Sequence, residues 1–592
     1  MRRLLTFTLV IVLSSLPVLP QAASQEVVVT GSAYPVPFEN LSRTVTVITR
    51  EQIESLPVQS VADLLRYAAS VEVRARGPYG IQTDFSIRGA GFGQALILVN
   101  GIRINDAQSG HHNGDIPVVL EEIDRVEILY GPGSALYGAD AFGGTINIIT
   151  RDATEGVRAS LSAGQFGLVD GSAVLGLKRG SFAQSLAVST NRSSGFMFDR
   201  DFQTFGFTSQ SSFGEHSRLL VSHLDKDFGA NGFYGASPSK EWTDATLLSF
   251  DRLLLSRPSS KMSGRLFYRT HGDHFLWDIR RPGFAENRHR THALGGLAKA
   301  QWTLSDKTTL TMGTELGGDW IRSNNLGDHS FSRAGVFAEL QLKPAETVAL
   351  YPGLRYDHYS SFGSSTSPSI SGSWWVAPNL RLKSTLAHAF RIPTFTELYY
   401  TDPNHQARSS LQPEKAWGAE GGIEWAPHPN WTATLNFFSR WEENIIDWVR
   451  EAPEQKWETT NIRDIQTDGV ELGLQRLLAA RGLVGAQYTY VYSDPGPVSF
   501  LSKYVLDYAR HSLAGFGSFH LPAGLVWGHK VDYKRRADGR SYWLLDARLG
   551  KSFGRYNLYL ECSNLLDTEY QEIRGVDMPG RWCRAGIKVP VR

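Results

Sequence analysis

The chain has 592 residues, room for two or more soluble domains or for one large membrane architecture with an insert. Its 60 basic residues against 59 acidic ones leave no excess that would attract nucleic acid, and two cysteines exclude a scaffold built from disulfides. The 57 glycines and 11% aromatic residues suit a chain with many turns and with rings at membrane interfaces.

From the N-terminus, Arg2-Arg3 precedes an apolar stretch, Leu4 to Leu19, broken by Pro17 and followed by Ala22-Ala23-Ser24. Residues 1–23 therefore read as a secretory signal, too short for a spanning helix. No later apolar run reaches the length of a spanning helix, so an exported chain of this kind is either soluble or a β-barrel. Residues 24–44 carry the β-branched run Glu26-Val27-Val28-Val29-Thr30-Gly31-Ser32 and a linker that Pro35 and Pro37 hold extended. The run is either the first strand of the next domain or a free segment able to add a strand to a partner's sheet edge. Thr49 with Gln52, and Ser60 with Asp63, then form capping boxes ahead of two short helices.

Between Ile81 and Thr150 short apolar strands alternate with glycine turns. The pieces are Phe85-Ser-Ile-Arg88-Gly89-Ala-Gly91, Leu96-Ile-Leu-Val-Asn100-Gly101-Ile-Arg103, and Arg125-Val-Glu127-Ile-Leu-Tyr-Gly131-Pro132-Gly133-Ser134. The last leads into Gly143-Gly144-Thr-Ile-Asn147-Ile-Ile-Thr150. Arg88, Arg103, Arg125 and Glu127 interrupt otherwise apolar strands, as structural ion pairs of a small soluble α/β domain would also do. In order, spacing and identity the whole block resembles the plug domain of TonB-dependent outer-membrane transporters. One departure is Ala69-Ser70-Val71, where such plugs carry Pro-Gly-Val.

After Thr150 the chain alternates apolar and polar residues, as in Trp431-Thr-Ala433-Thr-Leu435-Asn-Phe437 and Leu558-Tyr-Leu560-Glu-Cys562. Period two with one apolar face suits a membrane barrel with a wet lumen, or equally a periplasmic sandwich or propeller. Length favours the barrel: residues 153–592 allow about 20 residues for each of 22 strands with its connection, against roughly 10 needed to span. Further phrases resemble the same family. They are Phe390-Arg391-Ile-Pro393 with Pro413-Glu414 and Glu420-Gly421-Gly422, Asn461 with Gly469-Val470-Glu471, and Asn564-Leu565-Leu566-Asp567 with Pro579-Gly580-Arg581. The final segment keeps the alternation of an outer-membrane insertion signal but ends in Arg592 where an aromatic is usual, and Pro590 belongs at a strand end or edge.

The resemblance implies a 22-stranded antiparallel transmembrane β-barrel (residues 153–592) occluded by an N-terminal α/β plug (residues 45–152), acting as an active transporter and not as an enzyme. It makes residues 26–30 a TonB box, with TonB and its inner-membrane energising complex as partner, and places the chain as a monomer in the outer membrane of a Gram-negative-type bacterium. Outer-membrane lipid and the barrel assembly machinery are its other implied partners. About twenty residues separate the box from the plug, so no signalling domain is expected between them. A passive porin does not need a plug, and neither does an outer-membrane hydrolase. No His-Glu-x-x-His, Gly-x-Ser-x-Gly or Gly-x4-Gly-Lys motif is present.

As cargo, the family likeness is greatest to cobalamin receptors, with ferric-siderophore receptors the runner-up and haem third. The plug segment Asn105–Asp115 should face the exterior, which makes Gln108, His111, His112, Asn113 and Asp115 ligand-binding candidates. His405 stands where haem receptors carry a ligand histidine, although the phrase expected after it is replaced by Ser-Ser-Leu-Gln. No cofactor is expected beyond a structural calcium at Asp225, Asp227 and Asp244, hard oxygen donors that solvated acidic loops would equally explain. If Asn564 lies opposite Arg581, a constant register puts Cys562 opposite Cys583, either bonded or as two small hydrophobes.

Overall fold

The computed structural model describes residues 27–28, 30–462, 464–478, 481–497 and 499–591. The expected signal, with Glu26 and Val29 of the expected box, lies outside the described residues. Twenty-two antiparallel strands, from Gly156–Gly164 to Trp582–Val591, form a closed barrel. The last strand pairs with the first, Leu161 opposite Ile587 and Pro590 opposite Arg158 near the strand's end.

Period-two patterning sorts the two faces of this wall. In Phe202–Phe213 the polar Thr204, Thr208 and Gln210 are buried inward while Phe205 is exposed outward. Leu316, Val336, Leu354, Ile370 and Leu386, on five consecutive strands, are all exposed. A continuous exposed apolar belt of this kind is stable only against lipid. No helix among the described residues is long and apolar enough to cross a membrane. Cys562 and Cys583 stand opposite each other on the last two strands and are joined by a disulfide, which settles the two readings of that pair.

Inside the barrel sits the plug. Its five-stranded mixed sheet runs, in spatial order, Val45–Ile48, Ile123–Tyr130, Gly144–Thr150, Ala95–Val99, Ile102–Arg103, with the third and fourth strands parallel. Each capping pair makes one of its two reciprocal bonds: Gln52 Oε1 accepts from the Thr49 N–H at 2.9 Å, and Ser60 Oγ accepts from the Asp63 N–H at 3.3 Å. These pairs start helices Arg50–Ser55 and Val61–Leu65. The main apolar cluster joins plug residues such as Leu64, Phe85 and Ile97 to Leu220, Phe267 and Phe516 of the wall. Ser70 has a φ of 56°, the left-handed turn that glycine provides in similar plugs. Its N–H donates to Thr489 Oγ1 at 3.1 Å.

The linker departs from expectation. Val27–Val28 pair antiparallel with Val36–Pro37, and a short 3-10 turn follows at Phe38–Asn40. Val36–Pro37 is itself extended, but the linker as a whole reverses on Val27–Val28 and does not run straight. Proline fixes φ but tolerates a strand edge, so the chain folds back on itself there.

Candidate functional site

The plug is held by buried ion pairs to the barrel wall. Arg88, in a left-handed turn with Gly89, reaches Glu471 with Nε and Nη2, both at 2.8 Å, and Glu420 with Nη1 at 2.6 Å. Arg391 of the wall grips Glu414 at 2.6 Å and Glu397 at 3.0 Å, while Gln94 of the plug donates to Glu414 at 2.8 Å. The family phrases around Glu414, Glu420 and Glu471 thus contribute plug anchors. Arg103 pairs within the plug with Asp140 at 2.6 Å, and Arg125 with Glu127 at 2.9 Å.

Two cavities flank the plug. The outer one, about 670 Å3, is a vestibule between the plug crown and the external loops. The inner one, about 980 Å3, opens beside Ser32, Gly101 and Tyr137 of the plug and Lys299, Glu315 and Arg355 of the wall. Between them lies a void of about 40 Å3 lined by Arg103, Asp140, Asp319 and Arg333. It shares Gly93 and Arg391 with the vestibule and Arg103 with the inner cavity. Arg103–Asp140 and Arg333–Asp319 ion pairs close this narrow point.

Long external connections roof the vestibule. His405–Gln406, Trp457–Asn461, Ile446–Arg450 and Leu501–Ser502 make a four-stranded sheet outside the barrel. It brings Trp448, Lys503, Tyr504 and His405 over the plug's Arg74, Phe92 and His111. The His111 ring stacks on Phe92, centroids 4.2 Å apart, and its Nδ1 is 2.9 Å from Asp84 Oδ1. Burial pushes His111 down to about 4, the Asp84 carboxylate opposing that only in part, so the ring is neutral at pH 7. Lys503 Nζ donates to His405 Nε2 at 2.8 Å and lies 5.2 Å from the Tyr504 ring centroid and 6.0 Å from that of Trp448. Arg74 donates to the Asp507 carbonyl at 2.9 Å and sits 6.0 Å from the Phe92 centroid. Among the described residues, neither Arg74 nor Lys503 makes an ion pair with a carboxylate.

The candidates named above divide at this surface. Gln108, His111, His112 and His405 line the vestibule. Asn113 and Asp115 do not. Asn113 Oδ1 accepts from the Asp106 N–H at 3.0 Å and shapes the crown, and Asp115 is buried against Lys226, 2.8 Å away, and His271. Burial disfavours a charge on His112, yet the Asp273 and Asp115 carboxylates hold it well above the ordinary histidine value. His405 has both ring nitrogens engaged, Nδ1 by Asp402 at 3.0 Å and Nε2 by Lys503, so a haem iron would have to displace one of them. No local signal marks Arg74, Phe92, Trp448, Lys503 and Tyr504, which converge from well-separated segments.

The expected calcium donors do not form a cage. Asp227 is neutralised by Lys240 at 2.8 Å and Asp244 by a bidentate Arg290 at 2.5 and 2.9 Å. Asp225 lies opposite Asp244 across the two strands. At the expected box, Thr30 is fully buried: its hydroxyl donates to Glu127 Oε2 at 2.6 Å and accepts from Asn147 Nδ2 at 2.9 Å. The Ala33 N–H donates to Glu339 of the wall at 2.9 Å. Thr30 is therefore not free in this conformation; its hydroxyl is satisfied by plug side chains.

Comparison with known proteins agrees with this architecture. A model of the TonB-dependent receptor plug domain matches residues 37–145, and one described as "TonB dependent receptor-like, beta-barrel" matches residues 136–565. The vitamin B12 transporter BtuB of Vibrio vulnificus is 24% identical over 588 residues, covering 92% of this chain and 91% of that protein. The iron-regulated outer membrane virulence protein of Vibrio cholerae is 25% identical over 562 residues, covering 82% and 81%. Among solved structures, the siderophore receptor PirA of Acinetobacter baumannii superposes with a TM-score of 0.74 at 18% identity, covering 92% of this chain and 98% of that one. The FrpB iron transporter of Neisseria meningitidis gives 0.76 at 16% identity, covering 93% and 99%. With a closed barrel, a plug inside it and both family models matched in series, this chain belongs to the TonB-dependent receptors, outer-membrane transporters that are not enzymes.

Proposed function

We propose that this receptor imports an anionic, ring-bearing metal chelate of the ferric-siderophore class, with TonB pulling on residues 26–30. One observation carries the cargo: the vestibule is lined by the cations Arg74 and Lys503, neither in a direct ion pair among the described residues, beside the rings of Phe92, Trp448 and Tyr504. A negatively charged chelate with aromatic arms would satisfy both cations and stack on those rings. Cobalamin is the second reading, favoured by the BtuB relatives at 24% identity. For the energy source, the β-branched run suits strand addition, and the hairpin Val27–Val28 with Val36–Pro37 would have to open first.

Equilibrium binding to the purified receptor, followed by tryptophan quenching, tests the cargo with a ferric tris-catecholate, cyanocobalamin and haemin. The catecholate is expected to bind tightest and to lose about tenfold in affinity in Lys503→Ala and in Arg74→Ala, as loss of a charge-assisted contact of about 1.5 kcal/mol implies. Tighter binding of cyanocobalamin, indifferent to both substitutions, would overturn the siderophore reading in favour of cobalamin.

A further inference from the structure

The plug crown ends in a buried histidine–carboxylate cluster of which the vestibule touches only one side. His112 and Asp115 come from the crown loop, and His271 and Asp273 from the barrel strand Ser260–Leu276. His112 Nδ1 stands 3.8 Å, and His271 Nε2 2.8 Å, from Asp115 Oδ2, and the ligand atoms of these three side chains all lie within 4.8 Å of one another. Donors around a tetrahedral zinc ion stand about 3.3 Å apart at bond lengths of about 2.0–2.1 Å, and the two separations from Asp115 bracket that value.

The outer layer fits as well. A metal-bound imidazole normally gives its second N–H to a carboxylate. His112 Nε2 is 3.2 Å from Asp273 Oδ2, and His271 Nδ1 is 3.5 Å from Asp106 Oδ2. Lys226 holds the other oxygen of Asp115 at 2.8 Å. His271 is completely buried, and its Nδ1, without a hydrogen-bond partner, is the nitrogen that faces Asp106 while Nε2 faces Asp115.

We propose that His112, His271 and Asp115 bind one divalent transition-metal ion of the zinc class, which cross-links the plug crown to the barrel wall. Two imidazole donors exclude calcium and magnesium as the preferred ion. His112 also lines the vestibule, so the ion enters from outside, and its site is separate from the cations and rings that face the chelate.

The test uses the untagged full-length receptor in detergent, stripped with chelator and titrated with Co2+ as a coloured probe, then with Zn2+ in competition. The expected result is one Co2+ per chain with visible d–d absorption, displaced by Zn2+. Affinity should fall at least tenfold in His271→Gln and in Asp115→Asn, and stay unchanged in His358→Gln on the exposed barrel face. Heat-modifiable migration on gels reports whether each variant still holds a folded barrel. X-ray absorption of the zinc-loaded native receptor serves as a second readout that needs no variant, and should show two imidazoles in the first coordination shell. Absence of saturable Co2+ binding, an unchanged affinity in a folded His271→Gln, or a shell without imidazole would each overturn the proposal.

Discussion

Arg88 shows how much a single side chain does here. Its turn residue and Gly89 were legible as a plug phrase, and Glu420 and Glu471 as barrel phrases, but nothing in the sequence says that they meet. They meet because the plug sheet stands inside the barrel, which turns residues more than three hundred positions apart into a bidentate pair. Removing the guanidinium would strand two buried carboxylates, a loss worth about 3–5 kcal/mol in other buried pairs. Arg88→Met is therefore expected to destabilise plug docking by about that amount, seen as faster hydrogen exchange in the strand Ala95–Val99 with barrel strands unaffected. Exchange identical to the native protein would show that the pair is not what seats the plug. The vestibule's Arg74, Lys503 and Trp448 had no such local signal. Each sits alone in its segment, and only the closure of the barrel and the external sheet brings them together.

At the scale of elements, the local rules held where local chemistry decides. The two capping pairs stand at the starts of the two helices named from them, each making half of its box, and alternation marks the barrel strands. Where tertiary contacts decide, the outcome is not local: the proline-marked linker folds into a hairpin, and Asp227 and Asp244 of one barrel hairpin pair with Lys240 and Arg290. The strand Val71–Ala75 carries a pH response that the fold creates. Burial alone would raise Glu72, but Arg536 and Arg74 lower it from 4.5 to about 2. A carboxylate depressed in the folded state adds stability that is complete above pH 4.5 and is lost as pH falls toward 2. The plug is thus expected to lose protection on acidification through that window before the barrel opens. In Glu72→Gln this acid-dependent part should shrink. Acid sensitivity equal to that of the native chain would assign the effect to other groups.

The whole molecule is a closed wall with a seat inside it, and those two facts define the work it does. A lumen filled by the plug, with charged pairs at the narrow point between two cavities, is not a standing pore. Reconstituted in liposomes, the full chain is expected to show negligible conductance, and large steady pores would return the porin reading. Under the proposed coupling, passage needs the plug to be moved or remodelled by TonB acting on residues 26–30. The most direct measurement compares surface binding with energised accumulation of a ferric tris-catecholate in cells carrying Val28→Pro. Proline at position 28 removes a backbone donor needed for strand pairing with a partner and lies far from the vestibule. The account predicts full binding at the surface with accumulation reduced to the level of cells lacking TonB. Accumulation equal to that of the native receptor would contradict it.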